Sequence, residues 1–157
     1  ATINSEGLTN AIRLDLPEML RIAVICPDFK LPTKRMRTML PKSYSKEDVI
    51  FNLQRANLLV AALATGNTDV LPECFGDRLH QPYRSSVVPG MESILRLRTP
   101  GLLGCTLSGS GPAILVFYED NFESVLELVQ AQFTRLGHVS DVVVSGIDRK
   151  GLQIENL

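Results

Sequence analysis

The chain has 157 residues, 45% hydrophobic and 21% charged, which suits one domain with its own core and excludes disordered and collagen-like classes. With 16 basic and 17 acidic side chains the formal charge is -1, so no nucleic acid or anionic membrane partner is expected and any anion binding must be local. Cys26, Cys74 and Cys105 are odd in number and lack a CxxC pair, which argues against a disulfide framework or a zinc site and for free thiols in a reducing compartment. No apolar run reaches the ~20 residues of a membrane span, and the start of the chain has no basic-then-apolar signal. A cytoplasmic location is therefore expected, and the opening Ala1 to Gly7 reads as mid-protein sequence.

In chain order, Leu8 to Leu16 is a first strand candidate and Arg21 to Cys26, rich in β-branched residues and closed by Pro27-Asp28, a stronger one. Ser45 followed by Asp48 resembles a capping box, and Val49, Leu53, Ala56, Leu59, Val60 and Leu63 then recur at helical spacing until Gly66-Asn67. A shorter helix is expected within Asp69 to Phe75. The segment Asp77-Arg-Leu-His-Gln-Pro-Tyr-Arg84 is polar and without period, and reads as a site rather than as scaffold. Met91 to Leu97 has helical spacing. Gly104 to Leu107 and Ala113 to Tyr118 read as strands joined by Ser108-Gly109-Ser110-Gly111-Pro112. Asp120 is a candidate N-cap for a helix carrying Phe122, Val125, Leu126, Val129 and Phe133 and ending at Gly137. Val139 to Val144 is a last strong strand, with a weaker one from Gly151 onward. The order is βαββαβ, which predicts an α+β, ferredoxin-like, mostly antiparallel four-stranded sheet with extra helices packed on one face, in a single domain over 1–157.

The loop Ser108 to Pro112 has two glycines and two hydroxyls in five positions. Glycine permits φ > 0 and close approach of a ligand to the amides, so the loop is either a phosphate-facing turn or an ordinary hairpin connection. It matches neither the Walker pattern nor the dinucleotide fingerprint. Arginine forks suit a carboxylate or a phosphate, so Arg37 and Arg84 form a clamp if they converge and are surface cations if they do not. His80 is a substrate donor or a structural histidine. Asn52 and Arg55 are exposed on the long helix or directed into a cleft. No Ser/His/Asp or Cys/His constellation and no metal-ligand spacing is present, and no carboxylate stands out as a general base.

Taken together, Asp28-Phe29, Leu40-Pro41-Lys42, Asp48 to Arg55, Asp77 to Arg84, Pro89-Gly90 and Leu107 to Pro112 resemble homoserine kinases, a family of the GHMP small-molecule kinases, from about Ile22 to Phe117. The Asp77 to Arg84 segment is specific to that family, whereas Ser108 to Pro112 marks only the superfamily. The resemblance implies transfer of the ATP γ-phosphoryl group to the side-chain hydroxyl of L-homoserine in threonine biosynthesis. It places Arg37 and Arg84 on the substrate, has His80 and Gln81 shape the pocket, and sets Ser108, Gly109, Ser110, Gly111 and Pro112 against the phosphate loop. Family members are roughly twice as long, so the resemblance further implies a C-terminal part whose missing N-terminal half carries the ATP and Mg²⁺ site and the catalytic groups. This chain alone would then bind neither ATP nor metal and would be inactive. It leaves a homodimer open. Two rivals remain at this point: a non-catalytic amino-acid-binding regulatory module of ferredoxin-like fold, and another GHMP kinase, such as one acting on an isoprenoid precursor.

Overall fold

The structure, a computed structural model, describes residues 2–5 and 7–148. The weak strand expected from Gly151 onward lies outside them. Strands β1 (Thr2–Ser5) and β2 (Leu8–Ala11) form a hairpin that, among the described residues, is a two-stranded sheet of its own. The strand expected over Leu8 to Leu16 thus stops at Ala11.

A four-stranded antiparallel sheet follows, built from β3 (Leu20–Pro27), β4 (Leu102–Leu107), β5 (Ile114–Glu119) and β6 (Ser140–Ser145) in the order β4-β5-β3-β6. Between β3 and β4 lie α1 (Thr33–Thr38), α2 (Lys46–Thr65), a 3-10 turn (Thr68–Val70), α3 (Leu71–Cys74), α4 (Gln81–Ser85) and α5 (Met91–Arg96); α6 (Ser124–Thr134) joins β5 to β6. This is the ferredoxin-like βαββαβ order expected from the sequence.

Strand side chains alternate between two faces. Ala23, Ile25, Ile114, Val116 and Tyr118 pack into the larger core with Met91 and Ile94 of α5 and Val125, Val129 and Phe133 of α6. Leu20, Leu103 and Phe117, on the opposite face, pack with Ala62 of α2 and Leu71 and Cys74 of α3. The helices therefore cover both faces rather than one, because both sets of alternating positions are apolar. Gly104 allows this second layer to close: a Cβ there would lie 2.0 Å from the Phe75 ring, which stacks on Phe117 with centroids 4.8 Å apart.

The start of α2 is built as its sequence predicts. Ser45 Oγ accepts the Asp48 amide at 3.0 Å and donates to Asp48 Oδ2 at 2.7 Å, and Gly66 ends the helix in the left-handed region. Ser45→Ala is expected to cost about 1 kcal/mol in urea unfolding; an unchanged midpoint would show that this cap contributes nothing. The apolar stripe, in contrast, is only partly turned inward. Leu59, Ala62 and Leu63 face the sheet, while Val49, Leu53, Ala56 and Val60 are exposed.

Asp120 does not cap α6, which starts at Ser124 without a side-chain cap. Its carboxylate pairs instead with Arg21 at 3.1 Å. Gly137 ends the helix region at φ +81° as expected, and His138 beyond it pairs with Asp28 at 3.1 Å, tying the end of α6 to β3.

Candidate functional site

The polar segment Asp77 to Arg84 is organised by a carboxylate. Asp77 Oδ1 accepts Leu79 N at 2.8 Å and Asn52 Nδ2 at 2.7 Å; its Oδ2 accepts His80 N at 3.0 Å and also Gln81 N. Asn52 Oδ1 in turn accepts Arg78 N at 2.9 Å. These bonds satisfy backbone donors at the entry to α4, where Pro82 occupies the first turn, and they fasten that entry to α2. Asn52 is thus a strut rather than an open cleft residue. Asp77 was not singled out from sequence, although an acid a few residues ahead of a proline-bearing helix start is a recognisable signal.

Helix α4 aims Arg84 into the protein, where the residue is 3% exposed. Its Nε donates to Met36 O at 3.3 Å, its Nη1 donates to Gly109 O at 3.1 Å, and the same Nη1 lies 3.3 Å from His80 Nδ1. One guanidinium therefore joins α1, α4 and the glycine loop, and its Nη2 has no hydrogen-bond partner among the described residues. Burial lowers the pKa of Arg84 first, opposed by Asp77 and Tyr44 and reinforced by the charge of Arg37. Arg37 is exposed on α1 and has no ion-pair partner among the described residues. The charge of Arg37 acts on Arg84 more weakly than the carboxylate of Asp77 does, so the two cations lie within electrostatic reach of each other.

Because Arg84 can only donate, His80 Nδ1 accepts and the ring proton lies on Nε2. The pKa of His80 is lowered, by burial and then by Arg84, against an opposing effect of Asp77. His80 is thus neutral near pH 7 and offers one N–H donor. A folded pKa below the ordinary histidine value of 6.5 means the unfolded chain binds the proton more readily. The stability this group contributes is present above pH 6.5 and is lost as pH falls from there through the folded pKa. Urea unfolding at pH 7.5 and 5.5 is expected to show that loss, and His80→Asn, a neutral acceptor, is expected to reduce it. An equal loss in the variant would remove His80 as its source.

Gln81 is 5% exposed, and its amide is used by backbone at both ends: Oε1 accepts Leu107 N at 3.1 Å and Nε2 donates to Phe75 O at 3.3 Å. It supports the wall of the site from the edge of β4. The glycine loop is closed by Ser108 N to Ala113 O at 2.8 Å and by Gly111 N to Ser108 O at 3.1 Å, with Gly109 at φ +61°. Ser110 Oγ lies 3.4 Å from Thr33 Oγ1 at the start of α1. The loop, Arg84 and α1 are thereby one connected unit. A cavity of about 400 Å³ lined by Phe75, Asp77, Gln81, Leu97, Arg98 and Leu103 lies beside α4; neither Arg37 nor Arg84 nor the glycine loop lines it. Among the described residues no three His, Cys, Asp or Glu side chains gather as a metal site, and no helix is long and apolar enough to cross a membrane.

The chain has a ferredoxin-like sheet with a glycine loop set against a buried arginine, and residues 56–135 match the family model described as GHMP kinases C terminal. The chain belongs to the GHMP kinase family. Within it, the chain is similar to homoserine kinases. It is 53% identical to that of Solibacter usitatus over 154 residues, 98% of this chain and 51% of that protein, and 38% identical to that of Schizosaccharomyces pombe over 144 residues, 87% and 42% of the two chains. The crystal structure of homoserine kinase from Cytophaga hutchinsonii matches with a TM-score of 0.83 at 26% identity, covering 91% of this chain and 46% of that one. The chain spans about half the length of the curated relatives it matches.

Proposed function

We propose that this chain is the substrate-side, C-terminal part of a homoserine kinase, which transfers the ATP γ-phosphoryl group to the side-chain hydroxyl of L-homoserine. The observation that carries the reading is the position of Arg84, buried and anchored to Met36 O and Gly109 O, with the charge of Arg37 within electrostatic reach. Its Nη2 and the Arg37 guanidinium hold the substrate carboxylate. The neutral His80 offers its Nε2–H at the same wall, and Gln81 keeps α4 in register with β4. Ser108 to Pro112, tied to Arg84 through Gly109, borders the phosphates. Phosphoryl transfer asks a protein mainly for positioning and charge stabilisation, and these residues position the acceptor.

ATP and Mg²⁺ act in the complete enzyme in this reading, and the half outside this chain supplies the groups that hold them and the catalytic residues. The 157 residues alone are then inactive. A cytoplasmic location belongs to the same reading. The named relatives favour it over an isoprenoid-precursor kinase and over a non-catalytic amino-acid-binding module.

The test compares L-homoserine with its carboxamide as phosphoryl acceptors for the polypeptide encoded by the full coding region. Loss of the carboxylate is expected to lower kcat/KM by about 100-fold, as loss of a charge-assisted pair costs ~2 to 3 kcal/mol. Equal use of both acceptors would remove the arginine pair from substrate recognition.

A further inference from the structure

An antiparallel strand turns its peptide groups alternately toward and away from its neighbour. At the end of β4, Ser108 N donates to Ala113 O, so Ser108 and, two residues back, Thr106 face β5. Leu107 and Cys105 therefore turn their N–H and C=O to the outer side of β4, which is the edge strand of the sheet. Leu107 N bears this out, because it donates across that edge to Gln81 Oε1 at 3.1 Å. Cys105 is 6% exposed, and both it and Gln81 line the cavity of about 400 Å³ beside α4. Its outward N–H and C=O have no hydrogen-bond partner among the described residues. Buried peptide groups are almost always paired, so this wall suits an occupant that brings one acceptor and one donor.

The charges around the cavity narrow its chemistry. Arg96 and Glu92 pair with each other at 3.5 Å, and the Asp77 oxygens are taken by the entry to α4. Arg98 gives Nη1 to Leu95 O at 3.1 Å and Leu97 O at 2.7 Å, and it has no ion-pair partner among the described residues. Its charge is felt at the Cys105 thiol, so the cation and the open peptide group share one neighbourhood. Phe75, Leu97 and Leu103 add apolar lining, and the volume lies within the ~300 to 1,000 Å³ of ordinary small-molecule sites. One cation, one peptide edge and an apolar wall match a molecule with one carboxylate, a neighbouring amide N–H and an apolar side chain. A free amino acid fits less well, because its ammonium meets no uncommitted carboxylate.

We propose that this cavity is a binding site for a small N-acyl amino acid. The amide N–H of the ligand donates to Cys105 C=O, and its carboxylate accepts from Cys105 N–H in reach of Arg98. The ligand thus pairs with β4 as one residue of an added strand would. Asp77 and Gln81 form part of the wall, so the occupant touches the residues that hold α4. The test is a ligand-observed NMR titration of the polypeptide encoded by the full coding region with N-acetyl-L-leucine, N-acetyl-L-leucinamide and L-leucine. N-acetyl-L-leucine is expected to saturate with Kd in the millimolar range or below, as ligand efficiency allows for a molecule of its size. The carboxamide and the free amino acid are each expected to bind about tenfold more weakly. Arg98→Gln is expected to weaken N-acetyl-L-leucine by about tenfold while leaving the carboxamide unchanged, and Arg37→Ala is expected to leave all three unchanged. Absence of saturation, or equal affinity for acid and carboxamide in the unmodified protein, would overturn the proposal. So would loss of binding in Arg37→Ala with retention in Arg98→Gln, which would place the carboxylate at the arginines of α1 and α4.

Discussion

Arg84→Ala, in the polypeptide encoded by the full coding region, is expected to lower kcat/KM for L-homoserine by about 100- to 1,000-fold, corresponding to ~3 to 4 kcal/mol. Part of the loss is direct in the proposed reading, because the Nη2 edge assigned there to the carboxylate disappears. The rest is positional: Met36 O and Gly109 O lose their donor, and the glycine loop is no longer tied to α1. Arg84→Lys retains the charge but not the fork, so it is expected to fall between the two. Arg37→Ala separates recognition from folding. The side chain is exposed, so urea stability is expected to stay within about 0.5 kcal/mol while KM for homoserine rises about tenfold. Steady-state kinetics and urea titrations on the three variants check this. An Arg37→Ala enzyme with unchanged KM would assign the substrate carboxylate elsewhere.

The second large effect is expected at Asp77. Its two oxygens accept three backbone amides and the Asn52 side chain. Asp77→Ala leaves those donors without their acceptor, at an expected cost of about 2 to 4 kcal/mol in unfolding free energy. His80, Gln81 and Arg84 all follow from this turn, so homoserine KM is expected to rise as well. The partner prediction is coupling: Asp77→Ala and Asn52→Ala should be non-additive by roughly 1 kcal/mol in a double-mutant cycle. Additive effects would mean that the Asn52–Asp77 bond does not hold α4 to α2.

How far the sequence foretells this molecule depends on the range of the interaction involved. β3 and β5 are continuous apolar runs, and the Ser45–Asp48 box and Gly137 are local chemistry, so all are legible from neighbouring residues. Helices α1 and α4 have six and five residues, too few to show a period, and both pass for polar loop. Asp120 looks like a cap, but its carboxylate is drawn to Arg21. The ring of Phe122 packs where a Cβ on Gly101 would sit, 2.0 Å from its nearest ring atom, and the chain turns there before the helix begins.

The site divides in the same way. The segment Asp77 to Arg84 is recognisable by composition and resemblance, yet nothing local shows that Arg84 is buried. Its partners Met36 and Gly109 are 48 and 25 residues away. The periodicity of α2 correctly reports an apolar face at Val49, Leu53 and Val60. It does not report that these side chains stay exposed in the described fold, because the same spacing serves a buried face and an exposed one alike.

The most direct measurement of the central claim is ADP release with MgATP and L-homoserine, for the 157-residue chain and for the polypeptide encoded by the full coding region. The account predicts turnover by the longer polypeptide and none by the chain. Turnover by the chain alone would contradict the assignment of the ATP site to the other half, and absence of turnover in both would contradict the homoserine kinase reading itself.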